Sequence, residues 1–179
     1  ELMLGPKLMT PSQTAKVSTL AAMQGQELVV LYFGAKWRTE CKRFVPMLSK
    51  FYKACNTMSQ NLEAIYVSVD RTLLEFNDCY GRMPWLAMPA GTTPFKNGLT
   101  EQLKVIDLPA LVVLDPKTGH VVTTNGVAEI EALGDFDAAG AVKLVQKWKK
   151  TKAVPASDIK IDTTLKNGNM ERGVVRWES

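Results

Sequence analysis

Cys41 is the residue best placed for chemistry. It opens an amphipathic stretch directly after an apolar, strand-like run, Leu28-Val29-Val30-Leu31-Tyr32-Phe33 and Gly34. The thiolate is the form that attacks disulfides, and a buried, unpaired thiol acts instead as a small apolar side chain. A two-electron dithiol cycle also needs a partner cysteine within reach, so that the pair can close and reopen a disulfide. In Trp37-Arg38-Thr39-Glu40-Cys41 the partner's place is taken by Arg38. A guanidinium cannot attack a disulfide, so the segment has the setting of a redox motif and one thiol of the two.

The remaining sequence does not replace the missing thiol. With Cys55 and Cys79 the cysteines are three in number and lack metal-ligand spacing. That argues against a disulfide framework and for a reducing compartment. Cys55 falls on a helix and Cys79 at a helix end, both read as packing residues, and no sequence relation shows that Cys79 can pair with Cys41. The single histidine, His120, follows Thr118-Gly119 in a turn and is the one candidate for a Cys-His pair. It is read as a solvated turn residue. No metal site and no cofactor is expected.

The elements that must position Cys41 follow from periodicity. Leu28 to Phe33 suits a buried strand ended by Gly34. From Thr39 the pattern turns helical, with Phe44, Met47, Leu48, Phe51 and Tyr52 at spacings of three and four, and Pro46 inside it is expected to kink the helix. Leu62 to Val69 reads as a second buried strand and Arg71 to Tyr80 as a short helix. Met83-Pro84-Trp85-Leu86 is too constrained by proline to be regular, and residues 94–104 read as a weak helix. Ala110 to Leu114, preceded by Pro109, and His120 to Thr124 flank the turn Asp115-Pro116-Lys117-Thr118-Gly119 and form a hairpin. Residues 138–150 form a helix, and Thr14 to Leu20 an edge strand. Strand–helix–strand–helix followed by a hairpin and a helix gives an α/β fold, a mixed central sheet flanked by helices on both faces. The expected divisions are a leader over residues 1–13 packed on the domain, a domain over 14–152 and a tail over 153–179. Val174, Val175 and Trp177 in the tail are candidates for docking on the domain or on a partner.

Composition bounds the function. With 179 residues, 46% hydrophobic and 22% charged, the chain supports one domain with a sizeable core. No apolar run approaches the roughly 18 residues of a membrane span, so no membrane contact is expected. No signal pattern is visible at Glu1, and a processed start stays open. The net charge of +4 is uneven: residues 1–140 carry a net of −1 and residues 141–179 a net of +5. The basic end, residues 143–152 above all, suits an acidic surface or nucleic acid. The preferred reading is a solvated helix face and tail, and no regularly interleaved aromatics point to base stacking.

In order along the chain, Tyr32-Phe33-Gly34-Ala35 before Trp37, Cys41 with Pro46 five residues on, Met83-Pro84-Trp85, Pro109, and the Asp115–Gly119 turn resemble the tryparedoxins and nucleoredoxins of the thioredoxin superfamily. That family carries Trp-Cys-Pro-Pro-Cys after its first buried strand, and the resemblance covers residues 14–124. It implies a thioredoxin-like fold and a cis peptide bond before Pro109. It also implies that Arg38 stands where the nucleophilic first cysteine belongs and that Cys41 is the more buried, resolving thiol. Thr39 and Glu40 replace the two family prolines; Thr39 is expected as a helix cap and Glu40 as a first-turn acid. Arg38 sits unfavourably against the helix dipole.

Trp37, Trp85 and Pro109 are candidates for lining a peptide groove; Trp37 and Trp85 are as readily explained as shields of the core edge, and Pro109 as fixing the entry of its strand. No catalytic residue is expected, Trp37, Arg38 and Cys41 being read as a vestigial site. The chain is read as a redox-inactive interaction or structural subunit of a larger assembly with protein partners. The alternative is a monothiol oxidoreductase or thiol sensor, with Arg38 depressing the Cys41 pKa. The resemblance further implies a kinetoplastid source, with mitochondrion and cytoplasm both compatible.

Overall fold

A computed structural model describes residues 4–160. The suggested docking residues Val174, Val175 and Trp177 lie outside the described residues. Seven strands form one mixed sheet: β1 (Lys7–Met9), β2 (Lys16–Ser18), β3 (Leu28–Gly34), β4 (Leu62–Ser68), β5 (Leu86–Ala87), β6 (Ala110–Leu114) and β7 (Val121–Thr123). Their spatial order is β2-β1-β5-β4-β3-β6-β7. The helices are α1 (Thr19–Met23), α2 (Thr39–Thr57), α3 (Leu73–Tyr80), α4 (Thr93–Gln102), α5 (Gly126–Glu131) and α6 (Ala138–Lys150). No helix among the described residues is long and apolar enough to cross a membrane.

β3 is central because its sequence is apolar on both faces. All seven of its residues are buried. It runs parallel to β4, from Leu28 beside Leu62 to Gly34 beside Ser68, and antiparallel to β6, from Val29 beside Leu114 to Phe33 beside Ala110. Alternation along a strand sends neighbouring side chains to opposite faces. Val30 and Tyr32 accordingly join a core with Phe44, Leu48 and Phe51 of α2, Phe76 of α3, Ile130 of α5 and Trp148 of α6. Val29, Leu31 and Phe33 join the other core, with Leu99 of α4 and Leu103, and with Ala22 and Met23 of α1 at its margin. Helices thus cover both faces, as the sequence pattern requires.

Several segments depart from the sequence expectation. Residues 7–9, expected in a leader, are a strand: β1 pairs with β2 and β5, and Leu8 is fully buried. The edge strand expected over Thr14–Leu20 is confined to Lys16–Ser18, after which α1 begins. Leu86–Ala87, expected to be irregular, is drawn into the sheet beside Ile65 and Tyr66. Residues 126–131 form α5, which is too short to show a helical period. Residues 153–160, expected in the tail, return to the domain. Val154 bridges to Val121, Ile159 is buried in the second core, and the Lys104 ammonium binds the Ile159 carbonyl. Elements of two or three residues carry too few side chains to display a period, and pairing with the sheet decides them. α2 continues through Pro46 as one element of 19 residues.

Candidate functional site

The end of β3 delivers the motif. Gly34 closes the strand, and a Cβ there would lie 2.6 Å from the Tyr32 hydroxyl oxygen, so a larger residue would displace that ring. The loop that follows is held by Asp70, just past β4. One carboxylate oxygen accepts the Lys36 backbone N–H at 2.6 Å, and the other accepts the Ser68 hydroxyl at 2.7 Å and the Tyr66 hydroxyl at 2.9 Å. Sequence reasoning treated Asp70 only as the end of a strand. Its three bonds tie the motif loop to β4 and fix where Trp37 and Arg38 emerge.

Trp37 is 41% exposed, with the Arg71 guanidinium 5.4 Å from its ring centroid. Arg38 occupies the N-cap position of α2 with extended backbone (φ −91°, ψ 118°) and no side-chain cap. Thr39, expected as the cap, is instead the first helical residue. Nη2 of Arg38 donates to Asp107 Oδ1 at 2.9 Å and to the Leu108 carbonyl at 3.1 Å, and Nε lies 3.6 Å from Glu40 Oε2. Leu108–Pro109 is a cis peptide bond. Arg38 therefore joins the start of α2 to the loop before β6, across a sequence separation of 69 residues. Two carboxylates compensate the cation that sequence reasoning expected to oppose the helix dipole.

Cys41, one turn along α2 from Arg38, is 1% exposed. Burial pushes its thiol above the ordinary range, against smaller opposing effects of the Ala35 backbone, the Tyr32 hydroxyl and Arg38. Arg38 acts to lower the Cys41 thiol pKa, and burial outweighs it. Cys55 is fully buried, and burial pushes it up to about 12. Cys79 is half-buried, its sulfur 3.4 Å from the Tyr66 hydroxyl oxygen, and burial raises this thiol too. Among the described residues no group of acidic, histidine and cysteine side chains is arranged to hold a metal.

The other sequence candidates separate. Pro109 has the cis peptide bond expected of it, and that bond adjoins the Leu108 carbonyl that Arg38 binds. Trp85 does not line a groove: it is fully buried, set edge-on against Tyr32 at 6.3 Å and Tyr52 at 5.6 Å between ring centroids. The aromatic core claims it, because a ring of that size gains most when wholly removed from water. His120 follows the far end of β6. Ala110, at the near end, pairs with Phe33, whereas Leu114 pairs with Val29, so the hairpin turn lies at the sheet edge opposite Cys41. No Cys-His pair forms. Asp107 was missed, since an acid two residues before a proline carries no signal until the fold brings Arg38 to it.

A family profile described as thioredoxin-like matches residues 25–121. The chain belongs to the thioredoxin-like family. This thioredoxin-like chain is 33% identical over 128 residues to tryparedoxin from Trypanosoma brucei brucei, covering 72% of this chain and 85% of that one. It is 32% identical over 137 residues to nucleoredoxin from Xenopus laevis, covering 76% of this chain and 31% of that protein. The chain therefore spans about a third of the length of the nucleoredoxins it matches. Among solved structures, tryparedoxin II from C. fasciculata superposes with a TM-score of 0.66 at 30% identity, over 72% of this chain and 86% of that one. Tryparedoxin I from Leishmania major gives 0.65 at 32% identity, over 76% and 88%. The expected thioredoxin-like fold and the tryparedoxin and nucleoredoxin relationship are both shown.

Proposed function

We propose that this chain is a tryparedoxin-like module that has given up dithiol redox turnover and acts through protein contacts, as an interaction or structural subunit of an assembly. The observation that carries the reading is Arg38, spent on Asp107 and the Leu108 carbonyl one turn before a Cys41 that is 1% exposed. A dithiol enzyme needs an exposed thiolate beside the loop of its cis-proline, and here the guanidinium takes that space while burial disfavours the remaining thiolate. Sites are lost more easily than folds, because packing of the two cores does not depend on the nucleophile.

Insulin reduction and a trypanothione-linked peroxidase assay test the reading. The wild-type chain is expected to show no turnover above a protein-free blank. The Arg38→Cys variant is expected to form an intramolecular disulfide with Cys41 and to acquire measurable turnover, since it restores the dithiol spacing on an intact scaffold. Wild-type turnover comparable to a dithiol tryparedoxin would sink the proposal.

A further inference from the structure

Six large apolar side chains stand out from the described surface, and four of them lie on the segments that follow three adjacent strands. Met58 closes α2, and Leu20 follows β2, two strands beyond β5 in the sheet, whereas Trp37 follows β3, Leu73 and Leu74 (61% and 70% exposed) follow β4, and Phe95 follows β5. β3 and β4 are parallel, and so are β4 and β5, so the segments that follow them leave the sheet at the same edge. Two contacts knit these segments together. The Arg71 guanidinium lies over the Trp37 ring at 5.4 Å, two residues before Leu73. The Lys96 ammonium, next to Phe95, lies over the Phe76 ring of α3 at 5.9 Å. Single exposed apolar residues are ordinary; several on one edge mark a contact surface.

The charges of this edge state what the contact must look like. Its carboxylates are already engaged. Glu40 and Asp107 face Arg38, Asp78 binds Lys36, Asp70 holds the motif loop, and Glu75 accepts the backbone N–H groups of Arg71 and Thr72. The Arg71 guanidinium is left on Trp37 with no carboxylate partner among the described residues, and Lys42 and Arg43, on the first turns of α2, have none either. The surface is apolar and carries three cations, Arg71, Lys42 and Arg43, that hold no ion-pair partner among the described residues, while the Asp70 and Glu75 carboxylates accept only neutral donors.

We propose that this edge docks a protein partner through an acidic amphipathic segment, whose leucine- or phenylalanine-like side chains cover Trp37, Leu73 and Leu74 and whose carboxylate pairs with Arg71. The proposal rests on the reading of the chain as an interaction module and narrows it to one edge and one partner chemistry. Apolar burial supplies the affinity, and the cation selects the sign of the partner's charge.

The probe is a synthetic peptide of leucine and glutamate in amphipathic order, with a leucine–lysine peptide of equal length as control. Each is titrated into the full chain and followed by NMR of backbone amides and the Trp37 indole. The acidic peptide is expected to give saturable shifts at Trp37, Arg71–Leu74 and Phe95. Arg71→Glu and the double variant Leu73→Ser, Leu74→Ser are each expected to weaken it about tenfold. Leu73 and Leu74 are exposed, so these changes leave the core intact, and circular dichroism checks it. Equal binding of the basic peptide, shifts centred on α6, absence of shifts, or self-association of the free chain through this edge in sedimentation equilibrium would each overturn the proposal. Such a failure alongside a redox-silent wild type leaves the interaction reading standing; insulin turnover removes the reading itself.

Discussion

A guanidinium at the start of a helix of 19 residues meets roughly half a positive charge from the exposed N–H groups, so residue 38 is tolerable only because of what surrounds it. Asp107 supplies the counter-charge at 2.9 Å and the Leu108 carbonyl a second acceptor at 3.1 Å. The Arg38 side chain is about a third exposed, so these bonds are partly screened. Truncation by Arg38→Ala is expected to cost about 1 to 2 kcal/mol, read as a lower urea midpoint. The same truncation is expected to open a path to Cys41, three residues on in α2. With a thiol reagent at neutral pH, native wild-type protein is expected to label first at half-buried Cys79, and at Cys41 and Cys55 only on unfolding. Arg38→Ala is expected to label at Cys41 without unfolding. Rapid labelling of Cys41 in the native wild type would instead support a monothiol site.

At the scale of elements, α3 is the short helix whose start matters most. It has eight residues, and an isolated helix of that length is not stable. Its N-terminus is secured by a reciprocal pair: the Thr72 hydroxyl accepts the Glu75 N–H at 3.2 Å, and the Glu75 carboxylate accepts the Thr72 N–H at 3.2 Å. This capping box sets the backbone that carries Arg71 onto Trp37 and leaves Leu73 and Leu74 outward. Thr72→Ala is expected to lower stability by about 1 kcal/mol with an unchanged denaturant slope. An unaltered urea midpoint would show that packing of Phe76 and Tyr80 holds the helix by itself. α6 depends on tertiary contact in the same way, through Trp148, whose indole N–H donates to Glu129 at 3.0 Å.

For the whole molecule, burial moves one class of groups in one direction. The thiols of Cys41, Cys55 and Cys79 and the phenols of Tyr32, Tyr52, Tyr66 and Tyr80 are all raised, each chiefly by burial. A group whose proton is held more tightly in the fold than in the open chain contributes stability that is complete below its unfolded pKa and is lost as pH climbs beyond it. The window opens near the ordinary thiol value of 9.0 and extends, for Cys55, to about 12. Within it, each such group lowers the unfolding free energy by up to about 1.4 kcal/mol per pH unit. Urea midpoints measured from pH 7.5 to 10.5 are expected to fall above about pH 9, and Cys55→Ala to fall less steeply. A level profile across that range would count against the buried, protonated thiols.

Much of this molecule is readable from local pattern. The apolar runs of β3, β4 and β6, the helical spacing of α2 and α6 and the hairpin around Asp115–Gly119 each follow from side chains a few residues apart, and so does the absence of a second thiol beside Cys41. Long elements repeat their period often enough to declare themselves. What only the tertiary structure decided involves residues far apart in the chain: Arg38 on Asp107, Asp70 under the motif loop, and Trp85 in the core instead of a groove. The same holds for Leu8 and Ile159 completing the second core, and for the four exposed apolar residues on the segments that follow β3, β4 and β5. Those pairings depend on strand order and register, set by the sum of many burials across the sheet. No single stretch of sequence contains that information.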